Sequence, residues 1–128
     1  MNKKRLIKAY SILKTIPQGN LDLRTWKAPG YSIKPTCNTI ACAAGWLSMH
    51  PDFAGEGLIS ATNGTPFYET PTGKFKYFGY DAMAKFLGIS EKDSERLFQP
   101  NLNRDNRNDK RTVLRRFQRF FAEQGIVV

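Results

Sequence analysis

Near the start of the chain, Leu6, Ala9, Tyr10, Leu13 and Ile16 recur at helical spacing with Lys4, Lys8 and Ser11 opposite, which predicts a helix from about Lys3 to Ile16. Pro17 and Gly19 stop it. From Asn20 to Thr36 the pattern lapses: Pro29, Gly30 and Pro35 punctuate the scattered apolar residues Leu21, Leu23, Trp26, Tyr31 and Ile33. Such a stretch reads as a connection packed onto a core, with a short helical turn near Leu21 to Trp26. From Asn38 to Met49 there is almost no polar face, so a buried helix is expected at the centre of the fold, capped by Thr36 or Asn38 and ended by His50 and Pro51.

Between Leu58 and Phe78 the period changes. Phe75 and Tyr77 alternate with Lys74 and Lys76 beyond a Pro71-Thr72-Gly73 turn, and Thr65 to Thr70 precedes it, which predicts a short hairpin. A helix is expected over about Asp81 to Leu87, closed by Gly88, and another from Ser90 to Phe98 with Ser90 as its cap. The Asn- and Arg-rich run from Asn101 to Asp109 is a connection. A final helix, Asp109 to Gln124, has the clearest pattern in the chain. The elements together predict a single α+β domain, mainly helical, with four or five helices around the buried central one and one small β-hairpin.

The length of 128 residues suits one domain able to build its own core without metal or disulfide staples. Two cysteines, Cys37 and Cys42, are too few for a disulfide framework. Lys3, Lys4 and Arg5 lead into a stretch broken by Lys8 and Lys14, unlike the apolar core of a secretory signal, and no span approaches the roughly 20 apolar residues a bilayer needs. A soluble, cytoplasmic protein is expected, without membrane partner. Charge changes the picture further: 20 Lys and Arg against 11 Asp and Glu give a formal net charge of +9, which favours an acidic partner and otherwise serves only solubility.

The basic residues concentrate on the last helix. At about 100° per residue, Val113, Leu114, Phe117, Phe120 and Phe121 fall in one sector, and Arg111, Arg115, Arg116 and Arg119 lie opposite. Arg111, Arg115 and Arg119 follow an i, i+4, i+8 line, where like charges repel by a few tenths of a kcal/mol per pair unless an anion compensates. Arg104 and Arg107 in the preceding connection extend the same surface, and guanidinium groups bind phosphate bidentately. The bland alternative is a solvated helix face.

Other chemistry finds less support. A helix-turn-helix over Asp81 to Phe98 would place Glu91, Asp93 and Glu95 on the base-reading helix, where they repel phosphate. Cys37, at the start of the expected central helix, has the dipole that activates a thiol, but the sole histidine, His50, lies at the far end, about 20 Å away at 1.5 Å per residue. Metal binding lacks a fourth ligand beyond Cys37, Cys42 and His50, so neither a metal nor a cofactor is expected. The structural reading of this string is stronger: Ala41, Ala44, Gly45 and Ser48 make a small-residue stripe, and Cys42 and Trp46 fill core volume.

Trp26, the string Cys37 to Trp46, the segment Ala82 to Ile89 and the Leu97-Phe98 pair resemble small uncharacterised proteins of bacteria and tailed phages. Those carry a Trp, then Cys-Gly-Thr-x-x-Cys-x-Ala-Gly-Trp or His, an alanine-bearing segment ending Leu-Gly-Leu, and a Leu-Phe pair. Asn38 stands at the glycine and Ile89 at the second leucine, and the basic helix lies outside the similarity. The resemblance implies a lineage and a scaffold, with no catalytic residues to carry over.

The function expected is therefore non-enzymatic: an accessory protein, phage-encoded in that lineage, that binds nucleic acid or an acidic host protein through Arg104, Arg107, Arg111, Arg115, Arg116 and Arg119. A second reading is a host-protein interaction through the hairpin aromatics Phe67, Tyr68, Phe75 and Tyr77. A cysteine-dependent enzyme ranks third.

Overall fold

The structure, a computed structural model, describes residues 1–24, 41–61, 64–102 and 107–128. Among them the chain forms α1 (Lys3–Thr15), a 3-10 turn (Gln18–Asn20), α2 (Ala43–Ser48), α3 (Pro51–Ala54), β1 (Leu58–Ser60), β2 (Pro66–Glu69), β3 (Lys76–Phe78), α4 (Gly79–Leu87), α5 (Glu91–Phe98) and α6 (Lys110–Gln124). The α+β class stands, with five α-helices around the buried α2 among the described residues, and with β1 added to the expected hairpin as a third antiparallel strand in the order β1-β2-β3.

The helix boundaries follow from local chemistry. Asn2 caps α1, its Oδ1 accepting the Arg5 backbone N–H at 3.0 Å, and Ser90 Oγ accepts the Asp93 N–H at 3.0 Å to open α5. Asp109 opens α6: one carboxylate oxygen accepts both the N–H and the hydroxyl of Thr112 at 3.1 Å, and the other accepts the Gln18 side-chain amide at 3.1 Å. Burial raises the Asp109 pKa, but these Thr112 bonds outweigh it and the net shift is downward. Gly88 ends α4 at φ 67°, where a β-carbon would in addition sit 3.0 Å from the Asn2 nitrogen. Only glycine satisfies both demands.

Two expected boundaries move. The central helix begins at Ala43, with Cys42 as its cap, and Ala41 is extended, pairing with Leu21 in an isolated parallel bridge. Residues 38–40 lie outside the described residues. His50 and Pro51 end α2 but also start α3, because proline at the first helical position gives up only an N–H with no intrahelical acceptor. A 3-10 turn stands at Gln18–Asn20; of the short helical turn expected near Leu21 to Trp26, Leu21 to Arg24 are not helical and residues 25–26 lie outside the described residues.

α2 is buried along its whole length, and α1 and the sheet pack against it. α4 covers one face of β2 and β3, α5 packs on α4, and α6 closes the assembly against α5 and α1. The aromatic rings tie these layers together: Phe53 meets Phe86 edge-on at 4.9 Å, Tyr68 meets Phe86 at 5.3 Å, and Phe98 meets Phe117 at 5.8 Å. Val113, Phe117, Phe120 and Phe121 are all buried, so the apolar face of α6 is fixed inward and its arginine-bearing side is turned away from the core.

Candidate anion-binding site

The inward phenylalanines decide where the arginines go. Arg111, Arg115 and Arg119 are exposed on α6, and none of them lies within ion-pair distance of a carboxylate among the described residues. Arg116 differs. It is half-buried, and its guanidinium donates to the backbone carbonyl of Gln99 at 2.6 Å and of Leu97 at 3.4 Å. These carbonyls at the end of α5 have no helical partner of their own, so Arg116 joins α6 to α5 while its charge remains. Burial lowers its pKa, with Tyr80 acting in the opposite sense. Of the four arginines expected opposite the apolar face, three are exposed, and the fourth is held by carbonyl groups.

Where α6 meets the end of α5 and the connection between them, a cleft of about 270 Å³ opens. Arg96, Arg107, Arg115, Arg116 and Arg119 line it, together with Asn101 and Thr112. Arg96 pairs with Glu123, whose pKa is held down first by that contact and further by Arg119. Arg107 is exposed at the rim, and its carbonyl accepts from the Asn101 side chain at 3.0 Å. Arg111 is not part of this cleft: it lines a second depression of about 350 Å³ with Gln18, Lys110, Leu114, Arg115 and Gln118. Arg115 belongs to both, so the two depressions flank one ridge of positive charge. Arg104 lies outside the described residues.

Sequence reasoning missed Arg96, because α5 carries Glu91, Asp93 and Glu95 and reads as an acidic helix. The signal was its neighbours. Leu97 and Phe98 must be buried, Phe98 packs on Phe117, and the residue before them in the last turn is thereby carried to the edge of α6.

The hairpin aromatics divide between the two faces of the sheet. Tyr68 is 7% exposed and packs on Phe86, so it belongs to the core, and Tyr77 is half-buried beside it. Tyr68 is thus corrected as an exposed contact residue. Phe67 lies opposite Phe78 on the outer face, ring centroids 5.0 Å apart, with Ile59 opposite Phe67 on the other side. Ile59, Phe75 and Phe78 are exposed at 42%, 52% and 59%.

The described part of the cysteine string, Ala41 to Trp46, lies in the core. Cys42 is buried, its sulfur accepts the Gly45 N–H at 3.3 Å, and burial pushes its thiol up to about 12. A thiol held there supplies almost no thiolate at neutral pH. Cys37 lies outside the described residues. In a Cys37→Ser variant, Cys42 is expected to resist iodoacetamide under native conditions and to react fully in denaturant; rapid native labelling seen by mass spectrometry would put cysteine chemistry back in play. Among the described residues no group of three or more His, Cys, Asp or Glu side chains is placed to hold a metal ion, and no helix is long and apolar enough to cross a membrane.

Comparison of the chain with protein-family models, with curated proteins and with solved structures gives no match.

Proposed function

We propose that this is a non-enzymatic protein that binds the phosphate backbone of nucleic acid through the exposed side of α6 and the cleft beside it. The observation that carries the reading is the exposed row: Arg111, Arg115 and Arg119 stand about 6 Å apart along the helix axis, and among the described residues no carboxylate lies within ion-pair distance of any of them. A net charge of +9 adds long-range attraction to a polyanion. Backbone contacts of this kind position a protein without reading bases, which agrees with a site built of guanidinium groups rather than of a base-reading helix. Nucleic acid is favoured over an acidic protein face because its charges are regularly repeated, as the arginines are.

The test is the salt dependence of binding to a fluorescent duplex, followed by anisotropy. With three phosphates neutralised, the logarithm of affinity falls with a slope of about −2.7 against the logarithm of salt, a roughly 40-fold loss between about 50 and 200 mM. A flat response would refute backbone binding. It would favour instead a second reading, contact with a protein through Ile59, Phe67 and Phe78, which these residues' shared place on the outer face of the sheet supports. Apolar burial changes little with salt over that range.

A further inference from the structure

α6 stands on the surface as a ridge. Counting about 100° per residue from Arg111, the buried Val113, Phe117, Phe120 and Phe121 centre at about 225°, and Arg115, at about 40°, lies opposite them at the crest. The depression of about 270 Å³ runs along one flank, where Thr112, Arg116 and Arg119 line it. The depression of about 350 Å³ runs along the other, where Lys110, Arg111, Leu114 and Gln118 line it. Arg115 borders both, as a residue at the crest must.

The two flanks are built alike. On the first, Arg116 donates to the carbonyls of Leu97 and Gln99 at the end of α5, and Arg119 is exposed beside it. On the second, Lys110 Nζ donates to the carbonyl of Lys14, in the last turn of α1, at 2.6 Å, and Arg111 is exposed beside it. Each flank thus has one cation anchored to the end of a neighbouring helix and one reaching outward. A carbonyl partner orders the anchored side chain without neutralising it, which lowers the entropy cost of binding an anion there.

A single strand needs one row of cations. Cations on both sides of a crest, with a depression under each, suit two phosphate backbones passing on either side of a protruding helix. The major groove of B-form DNA offers this arrangement: it is about 12 Å wide and about 8.5 Å deep, and a helix with its side chains is about 10–12 Å across. The 15 residues of α6 span about 22 Å, and Glu123 in the last turn, paired with Arg96, ends the cationic stretch. In an A-form RNA duplex the major groove is deep and too narrow to admit the ridge.

We infer that α6 lies in the major groove of a B-form DNA duplex, with one phosphate backbone in each flanking depression. This rests on the nucleic-acid reading above and narrows it to double-stranded DNA. The experiment measures, by anisotropy in about 100 mM salt, the affinity for three labelled duplexes of about 20 base pairs and one sequence: plain DNA, DNA whose cytosines carry glucosylated hydroxymethyl groups at C5, and RNA. The three have equal numbers of phosphates, so charge alone does not separate them, and the glucosyl groups fill the major groove. Plain DNA binds about tenfold more tightly than either of the others. Arg111→Gln and Arg119→Gln, on opposite flanks and both exposed in the wild type, each weaken binding of plain DNA about eightfold, one phosphate contact apiece, and keep that preference.

Equal affinity for plain and glucosylated DNA overturns the placement in the major groove, and RNA bound as tightly as plain DNA overturns the choice of a B-form duplex. Either result leaves the nucleic-acid reading standing. A loss in only one of the two variants means that a single backbone is held, and overturns the arrangement of one strand on each flank. If none of the duplexes binds, the parent reading fails and the inference goes with it.

Discussion

Replacing Arg111, Arg115 and Arg119 together by glutamine is expected to cut affinity for nucleic acid by about five-hundredfold at about 0.1 M salt, because each lost phosphate contact removes a factor of about eight of counterion-release binding relative to 1 M salt. The slope of the salt dependence should fall by nearly three at the same time. Stability should move the other way. The three side chains repel one another along one line of α6, with no carboxylate within ion-pair distance among the described residues, so their removal relieves a few tenths of a kcal/mol per pair. A melting temperature unchanged or slightly raised, beside a large loss of binding, separates a ligand surface from a structural one. Among the single variants, Arg115→Gln should show the largest effect, since Arg115 borders both depressions. If the triple variant bound as the wild type does, the row would be a solvated helix face and nothing more.

How far these residues were legible in the sequence depends on how much each feature owes to its own segment. α6 was readable almost to the residue, because a capping Asp109, a phenylalanine stripe and a stop at Gly125 all lie within one stretch. The start of the central helix was not. Ala41 and Cys42 are apolar and buried, and periodicity cannot tell a buried extended segment from the end of a buried helix; the bridge from Ala41 to Leu21 decides it, and that partner is twenty residues away. β1 spans only Leu58 to Ser60, too short to show a period, and it is a strand because β2 pairs with it. The hairpin itself was found, but its aromatics were grouped by type instead of by parity. Phe67 and Tyr68 are neighbours on one strand and must face opposite sides, so one of them had to be core.

For the site, the exposed row was visible and the cleft was not. A row on one helix follows from helical geometry alone. The cleft needs the docking of α5 against α6, which brings Arg96 in from a helix that reads as acidic and turns Arg116 aside to the carbonyls of Leu97 and Gln99. The inward face of α6 therefore sets the site as much as the arginines do.

That dependence gives the second large effect. Phe117→Ala is expected to destabilise the fold by about 3–5 kcal/mol, a large share of the 5–15 kcal/mol typical of a domain. Phe117 is fully buried and meets Tyr10 of α1, Phe98 of α5 and Phe121 of α6, with centroids 6.3, 5.8 and 5.9 Å apart. Truncation leaves a cavity where α1, α5 and α6 meet, and small shifts close it only in part, because Tyr10 and Phe121 are held by their own edge-on contact at 5.5 Å. Phe117→Leu keeps most of the volume and should cost about 1–1.5 kcal/mol. Urea denaturation of the two variants measures both, with the midpoint shifting and the slope unchanged while unfolding stays two-state. Binding should respond differently from the arginine variants: the molecules that remain folded keep wild-type affinity and salt slope, since Phe117 touches no ligand. A loss below about 1 kcal/mol for Phe117→Ala would mean that α6 is not anchored through this ring, and the orientation of the arginine row would lose its physical basis.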